Sequence, residues 1–298
     1  MQDNFQKMSK YVQKTPISAP KKLHKDLNFY IKRCDLHPLG SHKPFAAIAQ
    51  VNELKHTGQK GVISTSGNAG ISAAYFSKKE NVPVYILASP KTNPAKLAAI
   101  QSMTDLLFLS EKPSRFTNYI SSQHNLHNLR PSMDDLAIEG FKNLAKEIHT
   151  QSKATPKEIY TFGTSGASFI GLYKGLKELN LPTLPRLHFI TGAAGSLGIK
   201  NTPRKKQILQ ILEETNGREF KISTQQLQEF KENFPEIILS DESLSSIIAA
   251  LSNNASETSL VISTGKAWPD TTFDLSSLPT INSFNDCDQL IKHGQHSK

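Results

Sequence analysis

From Gly61 to Leu109 the chain alternates short apolar runs with longer helix-periodic stretches, and the rhythm returns from Ile138 to Ser263. Gly61–Thr65, Pro83–Ala88 and Asp105–Leu109 read as strands, separated by helices at Ala69–Lys79 and Pro94–Met103. The later series sets strands Glu158–Phe162, Arg186–Ile190, Phe220–Ile222 and Leu260–Ser263 among five helices. These are Ile138–His149, Ser165–Leu179, Lys205–Glu214, Thr224–Phe230 and Glu242–Leu251. A helix between two strands returns the chain to the same edge, which makes the strands parallel and covers the sheet. The expected fold class is α/β, with mainly parallel sheets carrying helices on both faces. A further strand is expected at Leu27–Lys32, Ser110–Arg130 reads as less regular, and the tail after Asn285 reads as partly loose.

The N-terminal third also has a defined helix start. His37-Pro38-Leu39-Gly40 is a turn, Pro44 opens a helix to about His56, and Gly58 lies just past its end. Proline at the first helical position and glycine after the last are the usual termini. Lys43 therefore sits at a helix start rather than on an open helical face.

In parallel sheets, ligands bind where strands end and helices begin, because unsatisfied amides face outward there. Three small polar segments occupy such places: Ser64-Thr65-Ser66-Gly67-Asn68-Ala69-Gly70, Gly163-Thr164-Ser165-Gly166-Ala167-Ser168 and Ser263-Thr264-Gly265. The first suits a carboxylate and the second a phosphate. A plain helix cap or tight turn would use the same residue types. A fourth segment, Thr191 to Gly198, resembles a dinucleotide loop, but its glycines are out of register. Pro203 also disfavours a long helix there.

Composition narrows the partners. The net charge is +9, yet the lysines are scattered and the densest basic groups lack interleaved aromatics, so no nucleic-acid partner is expected. No run approaches the roughly 18 apolar residues of a membrane span. Met1 to Lys14 is polar, without a stretch resembling a secretory signal. The two cysteines, Cys34 and Cys287, make neither a disulfide framework nor a zinc quartet. A cytoplasmic location and no bound metal are the expectations.

Taken in order, these pieces resemble the fold-type II pyridoxal-phosphate enzymes, the tryptophan synthase β-like superfamily. Thr15-Pro16-Ile17 stands where that family has Thr-Pro-Leu, and Lys32 through Lys43 stands where it has its cofactor-lysine segment. Ser66-Gly67-Asn68, Glu139-Gly140-Phe141-Lys142, Gly163 to Leu179 and Ser263-Thr264-Gly265 match further motifs, closest to threonine synthases. The resemblance covers about Thr15 to Pro269. It departs at Pro44-Phe45-Ala46, where threonine synthases usually have Asp-Arg-Gly, and at Phe141, where a glutamine is usual.

The resemblance implies pyridoxal 5′-phosphate as cofactor, with Lys43 as Schiff-base lysine and catalytic base. Asn68 is implied at the cofactor's ring oxygen, Gly163, Thr164, Ser165, Gly166 and Ala167 at its phosphate, and Thr264 at its pyridine nitrogen. Ser64, Thr65 and Ser66 would receive the substrate carboxylate. The reaction implied is β- or γ-elimination or replacement on an amino acid, threonine synthase-like. A serine/threonine dehydratase and a cofactor carrier that has lost turnover are the alternatives. Two lobes are expected, a smaller mobile one over 44–130 and a larger one combining 1–43 with 131–298, with the cofactor in the cleft between them. A homodimer is open by analogy with the family.

Overall fold

The computed structural model describes residues 13–192 and 202–293. Most of the leader before Lys14 and most of the Thr191–Gly198 loop lie outside those residues. The chain groups into two units. One consists of Ala46–Asp134 with the chain from Trp268 onward. The other consists of Asp135–Ala267 with the N-terminal segment ending at Phe45.

In chain order the elements are β1 (Ile17–Ser18), β2 (Tyr30–Arg33) and α1 (Pro44–Thr57). Then come β3 (Gly61–Thr65), α2 (Asn68–Glu80), β4 (Val84–Ala88), α3 (Pro94–Gln101), β5 (Leu107–Leu109), α4 (Pro113–His124) and β6 (His127–Asn128). The second series is α5 (Leu136–Gln151), β7 (Glu158–Phe162), α6 (Ala167–Glu178), β8 (Arg186–Gly192), α7 (Lys205–Glu214) and β9 (Glu219–Ile222). It ends with α8 (Thr224–Asn233), α9 (Asp241–Ser252), β10 (Ser259–Ser263) and α10 (Phe284–His293). The α/β class with parallel sheets flanked by helices is what the alternation required.

Among the described residues, one unit holds a four-stranded parallel sheet in the order β5-β4-β3-β6. The other holds six strands in the order β1-β2-β10-β7-β8-β9, all parallel except β1 against β2. Central strands are buried along their whole length, β4, β7 and β10 without an exposed residue, which is why they read as continuous apolar runs.

Two expectations fail for a shared reason. The irregular stretch after Ser110 contains α4, and the tail expected to be partly loose is helical in α10 as far as His293, the last described residue. Both contain several Ser, Asn or Asp residues, which favour caps and turns over helix interiors. Tertiary burial overrides that preference: Phe116 and Ile120 of α4 pack in one cluster with Cys287 and Ile291 of α10. Tyr119 and His124 both hydrogen-bond the carboxylate of Asp288. The strand expected at Leu27–Lys32 is displaced to β2, because Leu27 and Phe29 are buried as core anchors before pairing begins.

One buried ionic group ties the N-terminal segment to the six-stranded unit. Lys32 is fully buried, and its ammonium donates to Glu147 Oε1, Thr15 O and Gln151 Oε1. Thr15 N–H also donates to Glu147 at 2.9 Å. Removing one partner of such a pair strands the other charge. Glu147→Ala is expected to lower stability by about 3–5 kcal/mol, and Lys32→Met combined with Glu147→Leu to recover most of it, as read by urea unfolding.

Candidate functional site

In the six-stranded unit, Lys43 is delivered by a short antiparallel clamp. Ser41 bridges Gly265, and Lys266 N–H donates to Gly40 O at 2.9 Å. His42 gives both its backbone N–H (3.0 Å) and its ring Nδ1 (2.8 Å) to the carbonyl of Thr264. Gly40 allows the tight approach: it has φ +68°, and a Cβ there would lie 2.8 Å from the Lys266 side chain. The next residue is Lys43, whose amine stands 6.0 Å from the centroid of the Phe141 ring.

Strand register brings the phosphate-type loop to the same sheet end. β10 pairs with β7 up to Ile262 opposite Thr161, so Thr264 and Gly163 leave the sheet side by side. The loop is shaped from beneath. Gly163 lies against the Phe189 ring, where a Cβ would come within 2.2 Å, and Gly166 has φ +79° with Ile208 close below. Thr202 Oγ1 donates to Ser165 O at 3.1 Å. Among the described residues, the amides of Thr164, Ser165 and Gly166 donate to no protein acceptor. Three free donors at the N-terminus of α6 form a ready anion cradle.

Burial holds the Lys43 amine below its usual 10.5, with the Glu242 carboxylate pulling partly the other way. Burial also pushes His42 down to about 3, helped by the Lys43 charge and opposed by the bond to Thr264. His42 is therefore a neutral ring with its proton on Nδ1. Glu242 sits in the first turn of α9, whose start is anchored here. Ser243 Oγ donates to Gly265 O (2.9 Å) and accepts from Gly265 N–H (3.1 Å), and Ser240 N–H donates to Gly265 O (3.1 Å). Sequence reading missed Glu242. It placed Glu242 only as the first residue of a helix, although a serine and two acids at that helix start were visible there.

In the four-stranded unit, β3 runs into Ser64, Thr65 and Ser66, Gly67 has φ +133°, and Asn68 begins α2. Thr65 Oγ1 accepts from Gly67 N–H (2.9 Å) and Gly70 N–H (3.0 Å), so this hydroxyl shapes the turn from within. Ser64, Thr65 and Ser66 line a cavity of 440 Å³ together with Lys91 and Arg130. No acid lines it, and neither cation has an acidic partner among the described residues. Burial lowers Arg130 from its usual value. Neither cation lies in a motif, so sequence gave no sign of them. Asn68 Oδ1 accepts from Trp268 Nε1 at 3.1 Å. An indole N–H can only donate, which fixes the amide orientation and leaves Asn68 Nδ2 as a free donor.

A sequence profile described as pyridoxal-phosphate dependent enzyme matches residues 8–253, and the chain belongs to that family. Human L-serine dehydratase/L-threonine deaminase is 26% identical over 254 residues, covering 78% of this chain and 75% of the human protein. The mouse protein of the same name is 26% identical over 204 residues, and the match spans 61% of this chain and 58% of the mouse protein. A crystal structure of a pyridoxal 5′-phosphate-dependent aspartate racemase superposes with a TM-score of 0.76 at 16% identity, covering 93% of this chain and 96% of the racemase. The fold is that of the fold-type II enzymes, and the cofactor of the family is pyridoxal 5′-phosphate. The residues present fit it: three unmatched loop amides suit a phosphate, and a lysine amine lowered by burial suits an aldehyde.

The clamp makes stability depend on pH. His37 is pushed down by burial to about 4, and His42 to about 3. Each is neutral when folded but takes a proton at about 6.5 when unfolded, so the unfolded state gains protons as pH falls below that value. The melting temperature should drop between pH 6.5 and 5, above the range of most carboxylates. His37→Gln should flatten that slope. A curve without slope in this window would count against the neutral, buried rings.

Proposed function

We propose that this chain is a pyridoxal-phosphate-dependent lyase that eliminates a β-leaving group from a hydroxy-amino acid, as a serine/threonine dehydratase does. The observation carrying the reading is Lys43, a lysine with a lowered amine pKa that directly follows His42, itself bonded to Thr264, a residue offering a hydroxyl and no carboxylate. When bound, pyridoxal phosphate supplies an aldehyde for the amine and a ring that accepts negative charge from the α-carbon.

The chain's own groups take the remaining roles. Lys43 Nζ, its basicity lowered by burial, would remove the α-proton and hold it for return or for the departing hydroxyl. Glu242 keeps that amine from losing all basicity. Thr264 Oγ1 would face the ring nitrogen without enforcing its protonation, which favours expulsion of a side-chain group over transamination. The amides of Thr164, Ser165 and Gly166, with Gly163 and Ala167 at the two ends of the loop, hold the phosphate. Asn68 Nδ2, its amide oriented by Trp268, would donate to the ring oxygen. Ser64 and Ser66 bind the substrate carboxylate, with Thr65 holding the turn in shape. The names of the human and mouse relatives support elimination.

A second reading, replacement on phosphohomoserine in the manner of threonine synthases, is favoured by one observation. The Ser64–Ser66 cavity carries Lys91 and Arg130 without an acid, which suits a substrate with a second negative group.

Purified protein with the cofactor should absorb in the visible, and Lys43→Ala should lose the Schiff-base band while keeping the fold. Incubation with serine, threonine and phosphohomoserine separates the readings. A 2-oxo acid from serine or threonine supports the dehydratase, and threonine from phosphohomoserine supports the replacement. A yellow protein whose spectrum no amino acid changes would overturn both and point to a carrier without turnover.

A further inference from the structure

The sheet of the six-stranded unit has a polar cavity at the end opposite the Gly163 loop. It measures 290 Å³ and is lined by Glu158, Arg186 and His188 from the starts of β7 and β8, with Asn216, Arg218 and Asn254 from adjoining turns. Glu158 begins β7 and Gly163 follows its end, so five strand residues, about 16 Å at the usual rise, separate this cavity from the cofactor loop.

The one acid lining the cavity is already engaged. Glu158 Oε2 accepts from Tyr160 Oη (3.0 Å) and Ser259 Oγ (3.1 Å), while Oε1 pairs with Arg186 Nη2 at 2.5 Å. The donors are not matched in the same way. His188 is 2% exposed and stacks on Tyr160, with ring centroids 4.4 Å apart. Its Nδ1 accepts from Arg218 N–H at 3.2 Å, so the neutral ring carries its proton on Nε2. That Nε2 has no hydrogen-bond partner, Glu158 Oε1 being 3.7 Å away. The Arg218 guanidinium makes no ion pair among the described residues, and it projects from a turn fixed by Asn216 in the left-handed region (φ 51°). A buried donor without an acceptor is costly, and native structures rarely leave one so.

We infer that this cavity is a binding site for a small oxyanion, the phosphate or carboxylate group of a metabolite, seated between the Arg218 guanidinium and His188 Nε2. The anion supplies the acceptor that the protein withholds from His188, and a guanidinium fork matches either group in geometry. The site stands apart from the cofactor loops and does not depend on which reaction they carry out.

The test uses protein saturated with pyridoxal phosphate, so that the Gly163 loop is filled, titrated at constant ionic strength with inorganic phosphate and separately with acetate. Calorimetry and thermal unfolding read binding, and visible absorbance verifies that the cofactor stays in place. A saturable response to phosphate alone, acetate alone or both is expected, and assigns the group recognised. Arg218→Ala, an exposed residue whose loss leaves the core intact, should weaken that binding by about tenfold or more. No saturable response to either anion, or equal affinity in Arg218→Ala, would overturn the assignment.

Discussion

His42 commits two donors to a single acceptor, the carbonyl of Thr264, and the candidate site is arranged around that choice. Its backbone N–H fixes the spacing between the Gly40–His42 segment and the end of β10, and its ring Nδ1–H fixes the rotation. The next residue then has one direction available. Because Thr264 leaves the sheet beside Gly163, the same carbonyl sets the lysine, the hydroxyl and the anion cradle in one frame. A bond made by a buried ring that stays neutral is insensitive to a change of charge on its neighbour, Lys43.

The frame has to be stiff, and the packing beneath it supplies that. Ser243 cross-links the start of α9 to both polar groups of Gly265, while the Lys32–Glu147 pair ties the N-terminal strands to α5. Neither feature is a hydrophobic contact. Buried polar networks of this kind add little net stability compared with well-packed carbon, but they tolerate fewer alternative arrangements. Positioning by hydrogen bonds also leaves the lysine environment apolar enough, with Phe141 beside it, for burial to lower the amine.

Much of this was legible before any coordinates. The strand–helix alternation gave the fold class, with β3, β7 and α7 matching their predicted bounds residue for residue, because strands buried on both faces cannot hide their apolar runs. Proline at the first position of α1 and glycine just after its end marked that helix. Asn68, Gly163 to Ala167 and Thr264 were visible as small or polar residues at strand ends, and Lys43 as a lysine at a helix start. Polar helices such as α4 and α10 were not visible, since their stability comes from the partner each one covers and not from their own composition. Glu242, Lys91, Arg130 and His188 escaped for a related reason: each is an ordinary residue in sequence and becomes distinctive only through what stands, or fails to stand, across from it.

The amino-acid order by itself therefore determined the layered parallel architecture, the ends of its strands where small polar loops collect, and the kinship with pyridoxal-phosphate enzymes. Those properties follow from local periodicity and short motifs, which act over a few residues. The tertiary structure alone decided which charges are answered and which are left open: a depressed lysine balanced by Glu242, a cation-lined cavity without an acid, and a buried imidazole donor with no acceptor. Electrostatic and hydrogen-bond balance depends on distance through space, and distance through space is not written in the spacing along a chain.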